Sequence, residues 1–142
     1  MNTKNNFMLR AIELSMNSAN NDGGPFGCVI TKENEIIAEG SNKVTLSNDP
    51  TAHAEVVAIR EACKKLNTFN LTGCDLYTSC EPCPMCLSAI YWSHIDNIFY
   101  AIKDAVASAG EYKVIPKLDA PATPEKILMS LNELKNRIRY SS

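Results

Sequence analysis

The 142-residue sequence lacks a cluster of basic residues, a long apolar run and an apolar core near its first residues. Its 14 Lys and Arg residues are scattered among 16 Asp and Glu, and the resulting net charge of -2 argues against an electrostatic grip on nucleic acid. The longest apolar stretches, near 56–58 and 87–92, fall far short of the ~20 residues that a bilayer requires. Residues 1–6 are polar and lack a signal-peptide core, so we expect a cytoplasmic protein with no membrane partner.

Disulfides are not expected, although the chain has cysteines at positions 28, 63, 74, 80, 83 and 86. Without a secretion signal, such a set is typical of reduced thiols, some of them bound to metal. Cys28 and Cys63 lie within apolar runs, and we interpret both as small buried core residues because free cysteine is among the most buried residue types.

The apolar pattern predicts alternating helices and strands within a single domain spanning 1–142. Helices are predicted over 3–20, 49–66, 82–93 and from 123 onward, and strands over 26–31, 35–39, 75–79 and 97–101. The second helix is expected to begin at Asp49-Pro50-Thr51, which offers a capping side chain and a proline suited to the first helical position. This alternation indicates a three-layer α/β domain.

Four residues carry the chemistry: His53 and Glu55 in TAHAE at 51–55, and Cys83 and Cys86 in CEPCPMC at 80–86. One imidazole and two thiols are zinc ligands, and catalytic zinc keeps three protein ligands and an open position for water. Glu55 projects about 200 degrees around the helix axis from His53, so we expect it to carry protons rather than bind metal. Both ligand segments are expected at helix starts, where free N–H groups favour negative charge.

Each of these residues has a simpler interpretation when taken alone. His53 could be a capping or solvated side chain, and Glu55 a favourable charge in a first helical turn. The C-x-x-C spacing could be a redox pair or half of a structural zinc site. Cys80 adds a third thiol, so His53 and three cysteines would make a closed site in a non-enzymatic module stabilised by zinc.

Four segments together resemble bacterial guanine deaminases of the cytidine deaminase fold. They read GGPFG at 23–27, SNDPTAHAEV at 47–56, LYTSCEPCPMC at 76–86 and AIYW at 89–92. The joint H-x-E and P-C-x-x-C pattern is the signature of zinc deaminases, in which the glutamate is not a ligand. The resemblance covers about residues 7–101 and favours the open zinc site over the closed one.

The resemblance implies a three-layer α/β/α fold with a mixed central sheet and helices on both faces. It implies zinc bound by His53, Cys83 and Cys86, with Glu55 as the proton shuttle. It also implies a homodimer and contacts between the purine and three side chains, those of Phe26, Asn42 and Trp92.

The reaction that the resemblance implies is hydrolytic deamination, preferably of guanine to xanthine and ammonia. Zinc lowers the pKa of bound water to about 7 and so supplies a nucleophile at neutral pH, while N–H groups near Cys83 and Pro84 are expected to stabilise developing charge. Cytosine or a triazine are alternative substrates, because residues after Ala101 depart from the family's acidic stretch and Glu111 is the nearest acid. A tRNA adenosine deaminase shares the signature, but the acidic net charge argues against it.

Overall fold

The structure of the protein, a computed structural model, describes residues 3–101. The helix predicted from residue 123 and the candidate acid Glu111 lie outside these residues. The elements are α1 (Thr3–Asn20), β1 (Gly24–Lys32), β2 (Glu35–Asn42), α2 (Val44–Ser47), α3 (Ala54–Leu66), β3 (Cys74–Thr78), α4 (Pro84–Trp92) and β4 (Asn97–Tyr100). In this part of the chain, no helix has the length and apolar character needed to cross a membrane.

The four strands form one mixed sheet in the order β2-β1-β3-β4. β1 pairs antiparallel with β2 and with β3, whereas β3 pairs parallel with β4. The parallel pair requires a crossover, and α4 provides it, beginning after the loop 79–83 that follows β3. The predicted mixed sheet is therefore confirmed, with each strand within a few residues of its expected position.

Helices cover both faces of the sheet because successive side chains of a strand point to opposite sides. On one face, Val29 of β1 and Tyr77 of β3 pack with Phe7 and Ala11 of α1. On the other face the buried core consists of side chains from the strands and from α3, among them Cys28, Ile30, Leu76, Ala54 and Ala58. The α/β/α layering is confirmed within the described residues.

Two glycines allow the helices to approach the sheet. A Cβ atom on Gly27 would lie 2.2 Å from the carbonyl oxygen of Ala11 in α1. A Cβ atom on Gly40 would lie 2.2 Å from the carbonyl oxygen of Ala54 and 2.6 Å from the nitrogen of Ala58, both in α3. Since Ala54 is the first residue of α3, the missing side chain at Gly40 lets the start of that helix sit directly on β2.

The start of α3 differs from the prediction, which placed it at 49–51. Asp49 does offer a side-chain acceptor, but its Oδ1 accepts hydrogen bonds from the N–H and hydroxyl of Thr51, at 2.8 and 2.7 Å. These bonds close a turn rather than a helix, and α3 begins only at Ala54. His53 is therefore the N-cap, with extended backbone (φ -68, ψ 155), and the 200-degree helical argument does not apply to it. The short α2 was not predicted.

The cysteines agree with the prediction of reduced thiols. All six are free, Cys28 is completely buried in the core, and Cys63 is partly buried against it. Burial, and next the charge of Glu55, raises the pKa of the Cys28 thiol well above its ordinary value. Cys28 therefore stays a protonated, apolar core residue.

Candidate metal centre and active site

Two helix N-termini bring the candidate ligands together. His53 is the N-cap of α3 and Cys83 the N-cap of α4, and Cys86 is the third residue of α4. The backbone carbonyls of both N-cap residues accept the first helical hydrogen bonds, from Val57 and Leu87. Neither N-cap side chain makes a capping hydrogen bond. The simpler interpretation of His53 as a cap therefore lacks the bond that would support it.

The distances between the ligand atoms fit zinc. His53 Nδ1 is 3.6 Å from Cys83 Sγ and 3.5 Å from Cys86 Sγ, and all three ligand atoms lie within 4.8 Å of one another. Tetrahedral zinc with Zn–S of about 2.3 Å and Zn–N of about 2.0 Å would place a ligand sulfur and nitrogen roughly 3.6 Å apart. The two nitrogen–sulfur distances therefore match those of tetrahedral zinc, with Nδ1 as the nitrogen that faces the metal position.

The group contains three ligands rather than four. Among residues 3–101, one set of His, Cys, Asp or Glu side chains lies close enough together to hold a metal ion, namely His53, Cys83 and Cys86. Neither Cys80 nor Glu55 belongs to this set. Burial of the Cys80 thiol, and next the charge of Glu55, raise its pKa, which favours a protonated thiol. This geometry favours the open site over the closed four-ligand site.

A bound cation would offset the repulsion between the negatively charged groups of the centre. Cys86 is completely buried, and burial raises the pKa of its thiol strongly. Glu55 and Cys83 beside it raise that pKa further, because each would place a second negative charge next to the thiolate. A bound divalent cation reverses this balance and deprotonates a coordinating thiol. Two thiols and an imidazole in one partly buried cluster, with a buried carboxylate nearby, are therefore suited to zinc.

Glu55 is the second residue of α3 and is only 6% exposed. Its Oε1 accepts a hydrogen bond of 2.8 Å from the hydroxyl of Thr78, the last residue of β3. The simpler interpretation of Glu55 as a solvated first-turn charge does not fit this burial. Sequence reasoning missed Thr78, whose only signal is a hydroxyl in a buried strand that leads into the cysteine segment.

The expected backbone donors are corrected in one respect. Pro84 is the first residue of α4 and has no N–H, so it cannot stabilise developing charge. The backbone donors of this helix start come from Cys83, Met85 and Cys86.

The three expected purine contacts lie in different surroundings. Phe26 in β1 is 39% exposed, and Asn42 at the end of β2 is 9% exposed, with its Oδ1 accepting from the N–H of Val44 at 3.2 Å. Trp92 ends α4 and is 76% exposed. Trp92 is nine residues after Cys83, which corresponds to a separation of roughly 13 Å along the helix axis. Contact of these three side chains with a purine stays a prediction.

Comparison with known proteins places this geometry in a family. A family model described as the zinc-binding region of cytidine and deoxycytidylate deaminases matches residues 1–102. Guanine deaminase of Bacillus subtilis (strain 168) is 51% identical over 125 residues, which cover 85% of this chain and 80% of that protein. A tRNA-specific adenosine deaminase of Aquifex aeolicus (strain VF5) is 43% identical over 103 residues, which cover 72% and 68%.

A solved structure agrees with the sequence comparison. The X-ray structure of guanine deaminase from Bacillus subtilis superposes with a TM-score of 0.69 and 47% identity, covering 96% of this chain and 95% of that one. The sequence match to the Bacillus subtilis protein covers 85% of this chain, which is more than the residues up to Ala101. The resemblance therefore extends beyond the limit of 7–101 drawn from the motifs.

Substitution of single ligands tests the membership of the metal set. His53→Ala, Cys83→Ser and Cys86→Ser should each lose most of the zinc, whereas Cys80→Ser should keep about one zinc per chain because its thiol lies outside the cluster. Metal content of the purified variants measures this directly. Loss of zinc in Cys80→Ser together with retention in Cys83→Ser would contradict the assignment and favour a different ligand set.

Proposed function

The chain belongs to the cytidine and deoxycytidylate deaminase family, and we propose from this premise that it is a zinc-dependent aminohydrolase that converts guanine to xanthine and ammonia. Guanine is proposed as the substrate because the chain is similar to the Bacillus subtilis guanine deaminase, at 51% identity over most of both chains. The open three-ligand cluster beside a buried carboxylate supports the type of reaction.

His53 Nδ1, Cys83 Sγ and Cys86 Sγ would hold the zinc, which when bound lowers the pKa of a water molecule to about 7. Glu55 takes one proton from the attacking water and gives it to a ring nitrogen of the base. It then carries the second proton to the amine on C2, and the C2–N bond breaks as ammonia leaves. A carboxylate that gains and loses protons within one turnover suits this general acid–base role.

Asn42 and Phe26 would orient the base. The hydrogen bond from Val44 N–H occupies Oδ1 of Asn42, and among the described residues its amide nitrogen has no partner. That NH₂ group can donate to N7 or O6 of guanine, both of which are acceptors. The partly exposed ring of Phe26 offers a face on which a flat base can stack.

A tRNA adenosine deaminase is the second candidate, because the Aquifex aeolicus relative is 43% identical. The net charge of -2 weighs against it, since binding of RNA phosphates gains affinity from clustered Lys and Arg. Cytosine and triazines are further candidate substrates that use the same chemistry.

We also propose that the protein is a cytoplasmic homodimer whose subunits meet through α4. Leu87 and Tyr91 lie four residues apart on one face of this helix and are 50% and 76% exposed, and Trp92 beside them is 76% exposed. A group of exposed large apolar side chains is typical of an interface. The resemblance to a family of homodimers favours a second copy of the chain as the partner.

A substrate panel tests the function. Zinc-loaded protein should release ammonia fastest from guanine, with xanthine as the product, and more slowly or not at all from guanosine, adenine, cytosine, ammeline and tRNA. Ammonia release measured over the whole panel decides the substrate, and fastest release from tRNA or from no purine would overturn the proposal.

Glu55→Gln is the matched control for this assay. The amide keeps the size of the side chain and should keep zinc and fold, but it cannot take up the proton, so turnover should fall by roughly 10²-fold or more. Ammonia release at the wild-type rate by this variant would show that Glu55 is not the proton carrier.

Leu87→Glu tests the dimer. A charge within the exposed face of α4 should convert a dimer to a monomer in sedimentation experiments, because an unpaired charge in an apolar interface is costly. Leu9→Glu on α1 is the control, since Leu9 is similarly exposed at 48% and lies on another helix. A monomeric wild type, or a dimer that survives Leu87→Glu, would contradict the proposed interface.

A further inference from the structure

The side-chain hydroxyl of Thr78 is buried, although the fold alone does not require a hydroxyl at this position. It ends β3, is 1% exposed and follows the buried apolar residues Leu76 and Tyr77. Valine has nearly the same shape and the same preference for strands, and it carries no polar atom. Burying a hydroxyl costs free energy unless it is hydrogen-bonded. The partner of this hydroxyl therefore indicates its role.

The hydroxyl of Thr78 has one hydrogen to donate and two acceptors within reach. Oε1 of Glu55 lies 2.8 Å from Oγ1, whereas the carbonyl oxygen of Gly27 lies at 3.5 Å. The Gly27 carbonyl already accepts a 2.9 Å hydrogen bond from the N–H of Ser79. The geometry therefore assigns the hydrogen to Glu55, as a short bond to a charged acceptor.

This bond joins two elements that form the site. Glu55 lies in the first turn of α3, and Thr78 ends the strand that leads to Cys83 and Cys86. Glu55 also lies near the Cys86 thiol, because its charge is, after burial, the next cause that raises the pKa of that thiol. Glu55 is thus bonded to the sheet through Thr78 and lies close to the candidate ligand Cys86, and its burial keeps bulk water away from the carboxylate.

We propose that Thr78 is a positioning residue for the reaction: its hydroxyl holds Oε1 of Glu55, which fixes the orientation of the carboxylate and leaves Oε2 to take and return the proton. This inference rests on the proposed function, in which Glu55 moves protons. No bond of Thr78 breaks in the cycle, because Oε1 remains an acceptor whether or not Oε2 carries the proton. Misplacement of a catalytic group by about 1 Å can cost ~10²-fold in rate.

The test compares Thr78→Val with Thr78→Ser. Thr78→Val keeps the shape and removes the donor, so kcat should fall by roughly ten- to a hundredfold while KM, zinc content and thermal unfolding change little. Thr78→Ser keeps the donor and should hold kcat within a few fold of wild type. Thr31→Val is the control, since Thr31 is a similarly buried threonine, 3% exposed, that pairs with Asp75 at the far end of β3.

A structural measurement is independent of the substrate. Crystal structures of zinc-loaded proteins should show the Glu55 carboxylate rotated away from its wild-type orientation in Thr78→Val and unchanged in Thr78→Ser. Should Thr78→Val fail to fold, Thr78→Ala removes the same donor without placing a methyl group against the carboxylate, and the same displacement and loss of kcat are expected.

Three results would overturn the inference: wild-type kcat in a folded variant without the hydroxyl, an unmoved carboxylate in that variant, or a kcat in Thr78→Ser as low as in Thr78→Val. Failure of the proposed function looks different, because wild-type protein would then release no ammonia from guanine. In that case the position of the carboxylate in the variant structures still decides the role of Thr78.

Discussion

The convergence of two helix N-termini on one partly buried cluster is the constraint on which the rest of the site depends. His53 and Cys83 occupy equivalent N-cap positions of α3 and α4, and neither side chain is used for capping. Both are free to turn toward Cys86, and the three ligand atoms lie within 4.8 Å. The resulting cluster would place negative charges side by side without a cation, so zinc and the local fold stabilise one another.

The sheet sets the distance between these helix starts. β1 pairs with β3 and with β2, and these pairings fix the end of β3 relative to the strand that supports α3. The loop 79–83 then leads from β3 to the start of α4. Gly40 then admits the backbone of Ala54 against β2, where any side chain would collide. The position of His53 and Glu55 is therefore determined by the close approach of the residue between them, Ala54, to the glycine in β2.

The residues of the candidate site could be predicted from the sequence because its information is local: His53 and Glu55 are two residues apart, and Cys83, which lies between two prolines, is three residues before Cys86. The hairpin, β3 and α4 were predicted for similar reasons, from alternation and from Pro84 at a helix start. The start of α3 was predicted wrongly because Asp49 is equally suited to a turn and to a helix cap. Local sequence does not distinguish these two uses of the same carboxylate.

Features that depend on packing between distant segments could not be predicted from the local sequence. A threonine in a strand is ordinary, and only the approach of α3 to β3 shows that the hydroxyl of Thr78 meets Glu55. The lack of an N–H at Pro84, in contrast, follows from the residue type alone. The cluster determines the type of reaction, whereas the choice of base depends on side chains such as Phe26 and Asn42 that surround it.

The central claim is that the zinc site is open, with three protein ligands of which two are thiolates. X-ray absorption at the zinc edge of the loaded, substrate-free protein tests it directly, because Zn–S distances of about 2.3 Å are resolved from Zn–N and Zn–O distances of about 2.0 Å. Two sulfur and two nitrogen or oxygen neighbours are predicted, one of the latter being water. Three sulfur neighbours would contradict the account, since they would place Cys80 on the metal and close the site.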